Sequence, residues 1–222
     1  MFTAVSCAET PAGLLRLRPV KLPQEIENLE LVGGRLAVDF VNTADSATPD
    51  GPITDDHIAD FKMLMAWAQK ATMISASKAD RFLRRARTSP SEARRVHREA
   101  IHMRAVLYEI LRSSAVRRPA EPSTLETFRE LERAALRHAH LRWAGERWAW
   151  TWSLDDARDL LGPIAHSASE LLTSDEVGRL KLCNGCRWLF LDGSKNESRR
   201  WCTMAGCGNR AKARRFAARH RS

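Results

Sequence analysis

No run of apolar residues in this chain approaches the ~20 that a membrane-spanning helix requires, which excludes a helical membrane protein. Met1 to Cys7 lack the basic start and the full apolar stretch of a secretory signal, so no signal peptide is expected. Also missing are a glycine loop able to cradle phosphates, a nucleophile and base at recognisable spacing, and an open metal site with a carboxylate base. These absences argue against an enzyme. There is no internal repeat and no low-complexity tract. At 222 residues and 44% hydrophobic composition, the chain can bury one good core and carry a small second module.

What the sequence does hold is concentrated near its end. Four of its five cysteines form two close pairs, Cys183-Asn184-Gly185-Cys186 and Cys202-Thr203-Met204-Ala205-Gly206-Cys207, with fifteen residues between them. Each pair can make one chelate, and four thiolates satisfy tetrahedral Zn²⁺. One structural zinc is therefore expected on Cys183, Cys186, Cys202 and Cys207. A redox pair or a set of buried thiols is the competing reading. Metal-binding thiols fit a reducing, cytoplasmic setting. Cys7 reads as an incidental free thiol.

The charge has the same address. From Arg179 to Ser222 there are twelve Lys and Arg against two acids, a net of +10, while the whole chain is +9. Residues 1–178 are thus close to neutral. Positive charge confined to a metal-folded module is the electrostatic footprint of a polyanion partner.

Upstream, the first 28 residues contain three prolines and little periodicity and read as a flexible leader. Residues 29–173 read as a helical domain, 174–182 as a hinge and 183–222 as the cysteine module. Thr54 is a plausible cap for a helix with Ile58, Phe61, Met65 and Ala68 inward, and Ser77 for a shorter basic one. Ser89-Pro90-Ser91 opens the longest helix, in which Val96, Ala100, Met103, Leu107 and Ile110 recur at helical steps. Ser123 or Thr124 can cap another, with Leu125, Phe128 and Leu131 inward. Alternation about Ala144-Gly145-Glu146-Arg147 then signals a hairpin. Its Trp148, Trp150 and Trp152 share one face, and covering a helical core is preferred over stacking bases because the hairpin lies outside the basic region. A last helix is expected from about Asp155 to Leu172, interrupted at Gly162-Pro163. A fragment ending at Thr173 is expected to fold alone. The fold class is mainly α: a helical N-terminal domain with a small β-hairpin, followed by a C-terminal, treble-clef-like zinc finger with four cysteine ligands.

Within the finger, Gly185 is expected to supply positive φ to a knuckle. Arg187 to Leu191 forms a strand, returned by Ser198 to Trp201, and the last cysteines lead into a helix whose N-terminus favours thiolate charge. At 100° per residue Ala213, Phe216, Ala217 and His220 gather on a face suited to packing on the hairpin. Arg210, Arg214 and Arg221 form one flank, and Lys212, Arg215 and Arg219 the other. Ala211 and Ala218 lie between them, short enough to let the backbone approach a groove floor. A solvated basic helix is the plainer reading.

Trp188-Leu189-Phe190-Leu191-Asp192, Ser198-Arg199-Arg200-Trp201-Cys202 and above all Cys207-Gly208-Asn209-Arg210 with the basic run after it resemble the CGNR zinc finger. Gly33-Gly34 with Asp39-Phe40-Val41-Asn42-Thr43 resembles the start of the ABATE domain, which precedes this finger in bacterial proteins. The resemblance implies a stress-induced bacterial transcription regulator, with the four cysteines on zinc and the basic helix on DNA. It names no ligand for the first domain.

The expected nucleic-acid contacts are Arg199, Arg200, Arg210, Lys212, Arg214, Arg215 and Arg219, on DNA, with the helical domain dimerising or sensing a signal. An RNA-binding module, with Trp188 or Trp201 exposed for stacking, is the first alternative. The second is a small-molecule enzyme using Asp39, Asn42 and Thr43, although such residues more often bond to neighbouring backbone. No membrane partner is expected.

Overall fold

The computed structural model describes residues 21–220. Cys7, Arg221 and most of the expected leader lie outside the described residues. Among those described are eight α-helices and three two-stranded antiparallel pairs.

The core begins earlier than Leu29. A short helix, α1 (Gln24–Asn28), buries Ile26 completely. After the Gly33-Gly34 loop, α2 (Leu36–Val41) buries Ala37, Val38, Phe40 and Val41. Its N-terminal carboxylate, Asp39, accepts a hydrogen bond from Gly33 N–H at 2.7 Å and so folds the loop back onto the helix. Strands β1 (Ala44–Asp45) and β2 (Asp55–Asp56) pair across the loop that follows.

That pairing displaces the next helix. Thr54 does not cap it; its N–H bonds to Asp45 O at 2.9 Å and keeps the segment extended. The cap is Asp60, whose carboxylate accepts from Met63 N–H at 2.8 Å, and α3 runs Phe61–Lys70. Likewise Ser75, not Ser77, caps α4 (Ala76–Thr88). The longest helix, α5 (Pro90–Ala115), starts with Pro90 in its first turn, where a missing N–H costs nothing. Val96, Ala100, Met103, Leu107 and Ile110 are all buried as their spacing predicts. In α6 (Pro122–Leu136) Glu121 takes the cap position, Phe128 is buried and Leu125 is exposed.

Strands β3 (Ala139–Trp143) and β4 (Trp148–Trp152) form the expected hairpin. Trp152 covers the core, its Nε1–H reaching Ala135 O at 3.4 Å. Trp150, 42% exposed, meets the His166 ring edge-on at 5.5 Å, whereas Trp148 is 63% exposed. A 3₁₀ turn (Ala157–Leu160) leads into α7 (Leu161–Leu172), which Gly162-Pro163 opens rather than interrupts. Gly162 is fixed by Trp152: a Cβ there would lie 2.5 Å from the indole Nε1.

The segment expected as a hinge is structured. It makes a 3₁₀ turn (Asp175–Arg179) and then β5 (Leu180–Leu182), which pairs with β6 (Leu189–Leu191). Ser198 to Trp201 is therefore not the partner of that strand. Leu180, Leu189 and Phe190 are buried in the same continuous hydrophobic cluster as Phe40, Trp67 and Leu107, and the four cysteines belong to it as well. The helical part and the finger share one core. After a π-type turn (Met204–Gly208), α8 (Asn209–Arg219) ends the described chain.

Candidate metal centre and nucleic-acid interface

β5 and β6 are joined by the first cysteine pair. Cys183 N–H closes the knuckle onto Trp188 O at 2.9 Å. Gly185 is required there for space rather than for positive φ, which among the described glycines only Gly34 and Gly145 adopt. A Cβ on Gly185 would sit 3.1 Å from Cys207 Cβ and 3.3 Å from its sulfur. The close approach brings the second pair over the first.

All four thiols are buried, and their sulfurs lie within 4.8 Å of one another. Cys202 Sγ stands 3.6 Å from both Cys186 Sγ and Cys207 Sγ. Four sulfurs about 2.3 Å from a central zinc would be about 3.8 Å apart, whereas a disulfide needs about 2.05 Å. The donor set fits one tetrahedral Zn²⁺ with no position left for water, so the zinc is structural. N–H groups of Gly185 and Cys202 point at Cys183 Sγ at 3.4 and 3.3 Å. Such bonds spread thiolate charge and favour metal binding.

Two expected nucleic-acid contacts have partners at the metal centre. Arg210 Nη2 donates to Cys207 Sγ at 2.8 Å. Arg199 donates to the carbonyls of Trp201 (3.0 Å) and Cys202 and stacks over Phe190 at 4.4 Å. Both brace the metal centre. Arg200 is exposed, its guanidinium 5.8 Å from the Trp201 ring centre.

Behind the knuckle lies Asp192, fully buried. Burial alone would raise its carboxyl. Lys181 Nζ at 2.6 Å, the Ser194 hydroxyl and N–H at 2.6 and 2.9 Å, and Arg199 N–H at 2.9 Å outweigh burial and hold it well below the usual range.

α8 differs from expectation in the face it buries. Ala211 is its buried residue, and Phe216 is 67% exposed. Lys212, Ala213, Arg214, Arg215, Ala217, Ala218 and Arg219 are exposed as well. The helix touches the body at its root and projects from it. The reason is the site of attachment: Cys207 and the π-type turn fix the first helical turn over the knuckle, and every described residue from Lys212 onward is exposed.

The residues proposed for a small ligand have partners within the chain. Asn42 is 2% exposed; its Nδ2–H donates to Leu189 O and its Oδ1 accepts from Leu189 N–H, both at 2.8 Å. The side-chain amide thus acts as an extra strand residue beside β6. Thr43 Oγ1 donates to Phe40 O at 2.7 Å and accepts from Arg104 Nη1 at 3.0 Å. Arg104, itself buried, forms a two-pronged pair with Asp56 at 2.7 and 2.6 Å. Asp39 is engaged with Gly33, as described above. Of the stacking candidates, Trp188 is only 9% exposed and Trp201 is half-buried.

Sequence reasoning missed the groups joining finger to helices. Tyr108, the only tyrosine, donates from its hydroxyl to Arg187 O at 3.2 Å, and the Arg187 guanidinium lies 3.9 Å over its ring centre. Leu191 N–H bonds to Gly33 O at 3.1 Å, and Arg35 pairs with Glu176. A lone tyrosine on α5, off the stripe from Val96 to Ile110, is the one signal for this contact in the sequence.

Comparison with known families agrees with this anatomy. Residues 34–175 match the ABATE family, described as "Putative stress-induced transcription regulator". Residues 179–220 match the CGNR zinc finger. None of the curated proteins matches the chain. No helix among the described residues is long and apolar enough to cross a membrane. With the first match spanning well over half its length and the second covering the metal centre, the chain belongs to the ABATE family and ends in a CGNR zinc finger.

Proposed function

We propose that this protein is a DNA-binding transcription regulator whose zinc centre fixes the root of α8, and whose α8 docks on duplex DNA. The observation that carries the reading is the projection of α8: beyond Ala211 it leaves the body and presents Lys212, Arg214 and Arg215 to solvent. A cationic helix held away from its own surface can reach phosphates on both sides of a groove. The charge confined to residues 179–222 and the regulator description of the family support the same reading. Burial of Trp188 and partial burial of Trp201 leave less aromatic surface for the base stacking that the RNA alternative relies on, which favours the duplex reading.

The protein acts by binding, not catalysis, in this reading; Asp39, Asn42 and Thr43 serve the fold. The helical part carries dimerisation or signal sensing. Its exposed Leu141, Trp143, Trp148 and Trp150 supply the surface a dimer would use, and sedimentation over a concentration series tests that role. Competition among duplex DNA, single-stranded DNA and structured RNA at several salt concentrations tests the main claim. Duplex DNA should compete best; stronger competition by RNA would overturn the proposal.

A further inference from the structure

Phe216 is the largest apolar side chain of α8, yet its ring meets His220 at a centroid distance of 4.2 Å and is otherwise largely open to solvent. A phenylalanine left two-thirds exposed keeps apolar surface in water, so its surroundings bear on what could cover it. With about 100° between successive residues, Phe216 lies about 140° around the helix from the buried Ala211, and Ala213 and His220 about 160–180° from it. These residues mark the outward face. Ala213 and Ala217 are small enough to let the backbone come close to a surface. Lys212 lies to one side of the stripe and Arg214 to the other, with Arg215 nearer to Ala211, all exposed. The opposite face, with Ala211, is blocked by the body.

An apolar stripe flanked on both sides by cations is complementary to the major groove of duplex DNA. The groove is about 12 Å wide, admits one helix, has phosphates along both walls and displays the thymine C5-methyl on its floor. We propose that α8 enters the major groove on its Ala213–Phe216–Ala217 face and that Phe216 packs against thymine methyl groups, giving the protein a preference for T-containing steps. This rests on the duplex-docking reading and adds the residue that senses sequence. The lysine and arginines position the helix; Phe216 discriminates.

The test begins with selection of duplexes from a pool randomised over one helical turn, using the full-length, zinc-loaded protein. The selected duplex is then remade with deoxyuridine, which lacks the C5-methyl, in place of each thymidine. Wild type should enrich thymine and lose about fourfold in affinity per contacted methyl, the worth of burying one such group. Phe216→Ala should fold and bind zinc normally, keep the wild-type salt slope, and be indifferent to uracil. Equal uracil sensitivity in both proteins, or no thymine preference in wild type despite salt-dependent duplex binding, overturns the role of Phe216 alone. Absence of duplex binding overturns the docking reading with it. Tighter binding to single strands, lost in Phe216→Ala, would instead make the ring a base-stacking platform.

Discussion

At the scale of single residues, the buried polar groups do the joining. Asn42 holds both backbone groups of Leu189 in the interior. Truncation in Asn42→Ala leaves a buried N–H and a buried C=O without partners, at about 1–3 kcal/mol each. Thermal unfolding should show a markedly lower midpoint, with zinc still bound. Asp39 has the opposite character. Burial raises its carboxyl to about 6, against the hydrogen bond from Gly33 that works to lower it. Its folded value therefore exceeds its unfolded one, near 3.9. Between them the folded chain keeps a proton that the unfolded chain has released, so stability from this group is full below about pH 4 and is lost as pH rises through about 6. Asp192, held low by Lys181 and its other donors, loses its contribution only in stronger acid. Denaturant midpoints measured from pH 4 to 7.5 should fall less steeply in Asp39→Asn than in wild type; parallel curves would contradict the assignment.

At the scale of elements, what was legible in the sequence was what is local. The stripe from Val96 to Ile110 on α5, the hairpin about Gly145 and the two cysteine pairs each carry their own period or spacing, and all three stand as read. What could not be read depends on distant partners. The strand paired with β6 lies in Leu180–Leu182, a segment whose turn-forming neighbours read as a hinge. The face buried by α8 is set by where Cys207 anchors it, and amphipathic spacing alone points to the wrong side. Asn42 gave no sign of its role because its partner is 147 residues away. Gly162 is a similar case: only the docked hairpin shows that a side chain there would strike Trp152. Gly162→Ala should cost about 1–3 kcal/mol as the hairpin is pushed off α7, read as a lower melting midpoint with altered tryptophan fluorescence. An unchanged midpoint would mean that the hairpin packs loosely.

At the scale of the whole molecule, one core runs from Ile26 to the cysteines, and the metal is part of it. Cys202→Ser should lose zinc and, because Leu180, Leu189 and Phe190 belong to that core, should also destabilise the helical part. A fragment ending at Thr173 should lose the cooperative transition of the full chain, since it lacks the cover that β5 and β6 provide; cooperative unfolding of that fragment would show two separable units. Onto this single body the chain attaches one projecting cationic helix, and its function as a DNA-docking element is the central claim. The most direct measurement is the slope of log affinity against log salt on duplex DNA, for wild type and for the triple variant Lys212→Ala, Arg214→Ala, Arg215→Ala. With zinc content and helicity unchanged, the triple variant should bind more weakly and its slope should be shallower by roughly 0.9 for each phosphate contact removed. The same affinity and slope in a folded, zinc-loaded variant would contradict the account.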